Sequence, residues 1–140
     1  MKILLAVDGS AYTQRMLAHL AAHNELLGPG HEYTALTAVT QVPSRAAGFL
    51  SHEVLHGYYE EQAEHVLKPV RAFATQQGWQ IDCRHVVGHA ADAITEFAEA
   101  GRFDLLVMGT HGHTPLGSVV LGSTTMRVIA QSKLPVLLVR

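Results

Sequence analysis

Cysteine occurs once, at Cys83, so no internal disulfide can form and nothing in the thiol content implies export. Charge is scarce too: only 16% of residues are Asp, Glu, Lys or Arg, and no stretch forms a Lys/Arg patch. A protein that grips a phosphate backbone needs such a patch, which argues against nucleic acid as a partner. The longest apolar runs are strand-sized, far short of a bilayer span, so no membrane partner is expected. MKILLAVDGS opens with a basic residue and an apolar run, but Asp8 ends that run too early for a signal peptide. These absences leave a cytoplasmic chain, expected to form one domain over residues 1–140.

What is present is apolar. Hydrophobic residues make up 48% of the chain, enough for a real core and incompatible with disorder. Histidine is the oddity, with ten copies. Two of them sit in His52-Glu53-Val54-Leu55-His56, the H-E-x-x-H spelling of a zinc peptidase. With this histidine and glutamate content the pentapeptide arises by chance in roughly one such chain in twenty-five. No H-x-x-G-x-x-H continuation follows, and Gly57 comes directly after His56. The motif reads as a coincidence, and no metal site is expected. His19 and His23 form a similar pair and are read the same way.

Hydrophobic period organises the chain. KILLAV (2–7) is a continuous branched run suited to a strand buried on both faces, and Asp8-Gly9-Ser10 ends it. Ser10 is the expected N-cap of a helix over 12–27, stopped by Gly28-Pro29-Gly30. YTALTAV (33–39) is a second strand, and 40–50 reads as irregular. A helical stretch covers about 51–77, with Pro69 predicting a kink or a break inside it. WQIDCRHVV (79–87) is a third strand, in which Cys83 is a small buried residue. A helix over 90–100, a strand at 104–109, a Gly-rich loop, a helix over about 123–131 and a strand at 135–140 complete the order. Strict alternation of this kind predicts an α/β fold: a doubly wound, five-stranded parallel sheet with helices on both faces. With strand order 3-2-1-4-5, the switch point lies between strands 1 and 4, and Asp8 and Gly109 face one crevice.

After strand 4 the chain reads GTHGHTPLGSVVLGSTT (109–125), in which Gly109, Gly112 and Gly122 are spaced G-x2-G-x9-G before Ser123. Glycines let backbone N–H groups approach an anion, and a helix amino terminus adds free donors and partial positive charge. Ser123 and Thr125 add hydroxyls. A long loop also needs glycines simply to turn, so glycine content alone does not choose between the two readings.

These residues, with "ILLAVDGS", "VVGHAADAI" and "DLLVMGTHGHTPLGSVVLGSTTMRVIAQSKLPVLLV", resemble the universal stress protein (UspA) family in its nucleotide-binding branch. The resemblance covers the whole chain. It implies a Rossmann-like fold that binds ATP, with any Mg²⁺ held by the phosphates. Gly112, Gly122, Ser123 and Thr124 would surround phosphates and ribose, and Met108 and Gly109 would lie beside the nucleotide. Asp8 and Val39 would meet the adenine. His111 and His113 complete the expected site, with no catalytic residue among these positions. His113 stands where the family often has arginine, and Thr114-Pro115 replaces small, flexible positions. A neutral imidazole attracts phosphate less than a guanidinium does.

The chain has no G-x-x-x-x-G-K-[S/T], so hydrolysis is expected to be slow at most, and a sensory or regulatory role in stress response follows. The H-x-G-H of adenylyl transferases is absent after strand 1; His111-Gly112-His113 has other spacing and follows strand 4. The G-x-G-x-x-G of dinucleotide oxidoreductases is absent as well. The alternative is a dimeric stress scaffold acting through protein contacts, with no nucleotide or with AMP or cyclic AMP in the crevice. PVLLVR (135–140) would be an unpaired, apolar edge strand, which predicts a two-fold homodimer through Val136–Val139.

Overall fold

The computed structural model describes residues 1–113 and 120–140. Five strands form one parallel sheet: β1 (Lys2–Ala6), β2 (Glu32–Val39), β3 (Ile81–Val87), β4 (Leu105–Gly109) and β5 (Val136–Val139). Their order is β3-β2-β1-β4-β5, as expected. β1 pairs on both sides, with Ile3 opposite Tyr33 of β2 and Leu105 of β4.

The run KILLAV is apolar throughout because both faces of β1 are covered. Ile3, Leu5 and Val7 point into one cluster with Met16, Leu17 and Leu20 of helix α1 (Ala11–Ala22) and with Leu67, Val70 and Ala74 of a long helix. Leu4 points the other way, against Leu36, Leu106 and residues of the later helices. The remaining helices are α2 (Asn24–Leu27), α3 (Ser44–Ala47), α4 (His52–Gln77), α5 (Ala90–Ala100) and α6 (Ser123–Gln131). Helices α1 and α4 cover one face; α5 and α6 cover the other. Among the described residues, no helix is long and apolar enough to cross a membrane.

Four local expectations change. The first helix ends at Ala22, with His23 as its C-cap, and α2 is a separate turn. Segment 40–50 contains the short helix α3. Pro69 neither breaks nor divides α4, which runs 26 residues from the Ser51 cap to Gly78 in the left-handed region at φ 71. Proline forfeits one helical hydrogen bond, and packing of Leu67 and Val70 beside it holds the helix together. The third strand starts at Ile81; Trp79 precedes it and stacks on Tyr33 with ring centroids 4.9 Å apart.

Candidate functional site

β1 ends at the turn Asp8-Gly9-Ser10, where Gly9 takes φ 76, a conformation that favours glycine. Ser10 occupies the N-cap of α1 with extended backbone, but its hydroxyl makes no cap bond and is buried without a partner among the described residues. The Asp8 carboxylate braces the turn: its Oδ1 accepts from the Ser10 N–H at 2.9 Å and from the Thr13 hydroxyl at 3.0 Å. Thr13 Oγ1 in turn accepts from the Asp8 N–H at 3.1 Å. Asp8 is thus locked by a closed ring of bonds and its other oxygen, Oδ2, faces Gly112. A Cβ on Gly112 would stand 2.8 Å from that oxygen.

β4 delivers the second half of the crevice. Gly109 lies against α1, where a Cβ would come within 2.6 Å of the Tyr12 Cβ. Its carbonyl accepts from Thr125 Oγ1 at 3.1 Å, which ties β4 to the first turn of α6. Thr125 lines the crevice as well, but its hydroxyl proton is spent on this brace. Gly122 is the N-cap of α6 with φ −69, a value open to any residue. Its requirement is proximity: a Cβ there would sit 3.3 Å from both the His111 Cα and the Thr110 carbonyl oxygen. The Gly122 N–H donates to that same Thr110 oxygen at 2.8 Å.

Between these halves lies a cavity of about 410 Å³ at the carboxyl ends of β1, β2 and β4. Asp8, Met108, Gly109, His111, Gly112, His113, Gly122, Ser123 and Thr124 all line it. Val39 does not. It is buried and opens instead on a second cavity, of about 800 Å³, between α1 and α4. Asp8, Thr13, Ala38, Thr40 and His113 line both cavities, so Val39 stands directly beside the first. Thr114 and Pro115 lie outside the described residues.

Neither lysine nor arginine lines the first cavity among the described residues. Its donors come from the start of α6, where the first N–H groups of a helix lack intrahelical acceptors, and from Ser123 and Thr124. His111 sits beside Tyr12, ring centroids 5.1 Å apart, with Nδ1 3.0 Å from Thr110 Oγ1. His113 Nε2 donates to the Asp8 carbonyl at 2.6 Å and so ties the β4 loop across to the β1 loop. Thr13, Thr40 and Ala90 line the cavity without having been singled out in the sequence. Thr13 was findable, as the third residue of a helix that starts after an Asp-Gly-Ser turn.

The chain matches the Universal stress protein family over residues 1–140. It belongs to that family. A universal stress protein of Thermus aquaticus is 36% identical over 138 residues, covering 99% of this chain and 97% of the relative. One from Synechocystis is 32% identical over 99% of this chain, but the chain spans only 42% of that relative's length. A Methanocaldococcus jannaschii relative, 39% identical over 64% of this chain, is likewise matched over 53% of its length. Among solved structures, a Methanocaldococcus jannaschii protein superposes with TM-score 0.77 at 28% identity, covering 99% of this chain and 94% of its own. A universal stress protein solved in complex with cAMP superposes with TM-score 0.67 at 25% identity, covering 100% and 96%.

The H-E-x-x-H residues lie elsewhere. His52 and His56 do share a regular turn, at the exposed start of α4, with ring centroids 6.4 Å apart. His56 Nε2 meets Glu60 Oε1 at 3.2 Å. His23 Nδ1 donates to the His19 carbonyl at 2.7 Å, closing the end of α1. Among the described residues, no three His, Cys, Asp or Glu side chains gather as a metal site would require. Cys83 is half-buried, and burial pushes its thiol pKa up, away from reactivity.

Proposed function

We propose that the 410 Å³ cavity binds an adenine nucleotide, ATP foremost, and that binding serves a sensory or regulatory role in stress response. One observation carries the reading. At the switch point of the sheet, two glycines that admit no Cβ freely, Gly112 and Gly122, flank the open amino terminus of α6. That arrangement suits phosphates. The Asp8 carboxylate repels phosphate on its own side and suits the base or ribose, which donate hydrogen bonds. The cavity volume falls within the usual range for small-molecule sites.

Hydrolysis is slow at most in this reading. No lysine or arginine reaches the cavity from the described residues to stabilise charge on a transferring phosphoryl group. Mg²⁺, where present, is carried by the phosphates. AMP or cyclic AMP is the second reading, favoured by the cAMP complex of the 25%-identical relative. The protein works as a homodimer through β5, whose position at the sheet edge leaves one side of its backbone without a strand partner among the described residues. The cytoplasm is the expected compartment.

Mass spectrometry of nucleotide released from the purified protein, followed by titration of ATP, AMP and cyclic AMP, tests the proposal. ATP should bind with a dissociation constant on the order of micromolar. Gly122→Val should abolish binding, because its Cβ already meets backbone atoms at 3.3 Å and its methyls must displace the loop or fill the cradle. A folded Gly122→Val protein that binds ATP as the parent does refutes the cradle.

A further inference from the structure

Helix α4 begins at His52, but its first buried residue is Ala63. One side of this leading segment is anchored: the Tyr59 ring packs against the core, and its hydroxyl accepts from the Val42 N–H at 2.9 Å. Another side is open. Phe49 is 91% exposed and Val54 57%, and Leu50 and Tyr58 are exposed as well. Val54 and Tyr58, four residues apart, share one helix face, and Phe49 and Leu50 lead into it. Large apolar side chains exposed together, unlike scattered ones, mark an interaction surface.

The charge beside this stripe has one sign. Glu53, Glu60 and Glu61 border it, and between Arg45 and Lys68 the chain has neither lysine nor arginine. Among the described residues none of the three pairs with a lysine or arginine, and Arg71 is spent on Glu64 at 2.9 Å. Gly57 falls in the same row as Glu53 and Glu60, at i, i+4, i+7 spacing. Glycine inside a helix weakens it, and a Cβ here would meet nothing within 4 Å, so packing does not require this one. It leaves a notch where a partner side chain reaches backbone. A second copy of the chain would set one acidic row against another, and an anionic lipid surface would be repelled in the same way. Carboxylates beside an apolar stripe suit the opposite charge.

We propose that the leading part of α4 docks an amphipathic, lysine- or arginine-bearing helix of a partner protein. The partner's apolar side chains cover Phe49, Val54 and Tyr58, and its basic row lies along Glu53, Glu60 and Glu61, over the Gly57 notch. Phe49, Leu50, Val54 and Gly57 line neither cavity, so docking stands whether or not a nucleotide binds.

Fluorescence anisotropy on the full chain, at about 150 mM salt, tests this with three labelled peptides of about 18 residues. They are a leucine/lysine amphipathic helix, its leucine/glutamate counterpart, and a lysine/serine peptide of equal charge. The first should bind saturably, with a dissociation constant on the order of tens of micromolar, and the others at least about tenfold more weakly. Phe49→Ala with Val54→Ala, both at exposed positions, should weaken it at least about fivefold, as should Glu53→Gln with Glu60→Gln. Glu96→Gln with Glu99→Gln makes the same change of charge on exposed positions of α5 and should leave binding within about twofold. Gly57→Gln should raise the melting temperature and yet weaken the peptide about threefold. No saturable binding of the leucine/lysine peptide, or equal binding of the leucine/glutamate one, overturns the proposal. So does binding unchanged in a Phe49→Ala, Val54→Ala protein of parental circular dichroism, or an equal loss in the α5 control. Self-association, or binding to phosphatidylserine vesicles, that the Phe49→Ala, Val54→Ala pair abolishes would assign the face to another occupant and overturn it too.

Discussion

Replacing Thr13 by valine keeps side-chain volume and removes one hydroxyl, and with it both bonds that tie Thr13 to Asp8. Thr13 is only 6% exposed, so water does not readily replace them. The Asp8 N–H loses its acceptor, and Oδ1 keeps only the Ser10 N–H. Leaving a partly buried donor unpaired and deleting a bond to a carboxylate should together cost about 2 kcal/mol. For 140 residues that corresponds to a melting point lower by about 7 °C. Thr13→Ser retains the hydroxyl and loses one methyl, about 0.8 kcal/mol, so it should lie clearly above Thr13→Val. Urea denaturation of parent and both variants measures this directly. ATP titration of the same proteins asks whether Asp8 must be held for the base to seat, with Thr13→Val expected to bind about fivefold or more weakly. Thr13→Val within about 0.5 kcal/mol of the parent would refute the idea that this ring of bonds fixes the β1 turn.

Gly109→Ala should destabilise by about 1–3 kcal/mol, because its Cβ meets the Tyr12 Cβ, an atom fixed to the backbone of α1 that cannot rotate away; thermal denaturation reads the loss. Tyr33 donates to the Leu27 and Gly28 carbonyls, and burial raises its pKa to about 12. The unfolded chain releases that proton near pH 10 while the folded chain keeps it. Stability should therefore fall as pH rises from 10 to 12, by on the order of 2 kcal/mol, and that component should vanish in Tyr33→Phe when urea midpoints are compared across the window. In β5 the carbonyls of Pro135 and Val139 accept from β4, so by alternation the Leu138 N–H points off the sheet edge. Leu138→Pro should thus leave the ladder to β4 intact and convert the dimer to a monomer in light scattering; a parent that is already monomeric at tens of micromolar sinks the dimer.

The sequence by itself determined the order of the five strands and of the longer helices between them, because hydrophobic period is a local property: KILLAV, YTALTAV and DLLVMG announce strands, and Gly78 and Gly101 mark helix ends. It also located the crevice, since alternating strands and helices leave few places for a switch point, and the glycine spacing after β4 supplied one wall. What tertiary structure alone decided were relations between distant groups. Ser10 is a good N-cap by type, yet its hydroxyl makes no cap bond, and Asp8 instead braces the turn by accepting from the Ser10 N–H and the Thr13 hydroxyl. Val39 opens on a second cavity that shares Asp8, Thr13, Ala38, Thr40 and His113 with the first, a placement beside the crevice that no composition reveals. Pro69 forbids a helix locally, and α4 continues because Leu67 and Val70 bury against the sheet. His113 spends its Nε2–H on the Asp8 carbonyl, 105 residues away, a contact that exists only once β1 and β4 lie side by side. Periodicity and turn chemistry act over a few residues; pairings of side chain with backbone across the crevice are set by packing of the whole sheet.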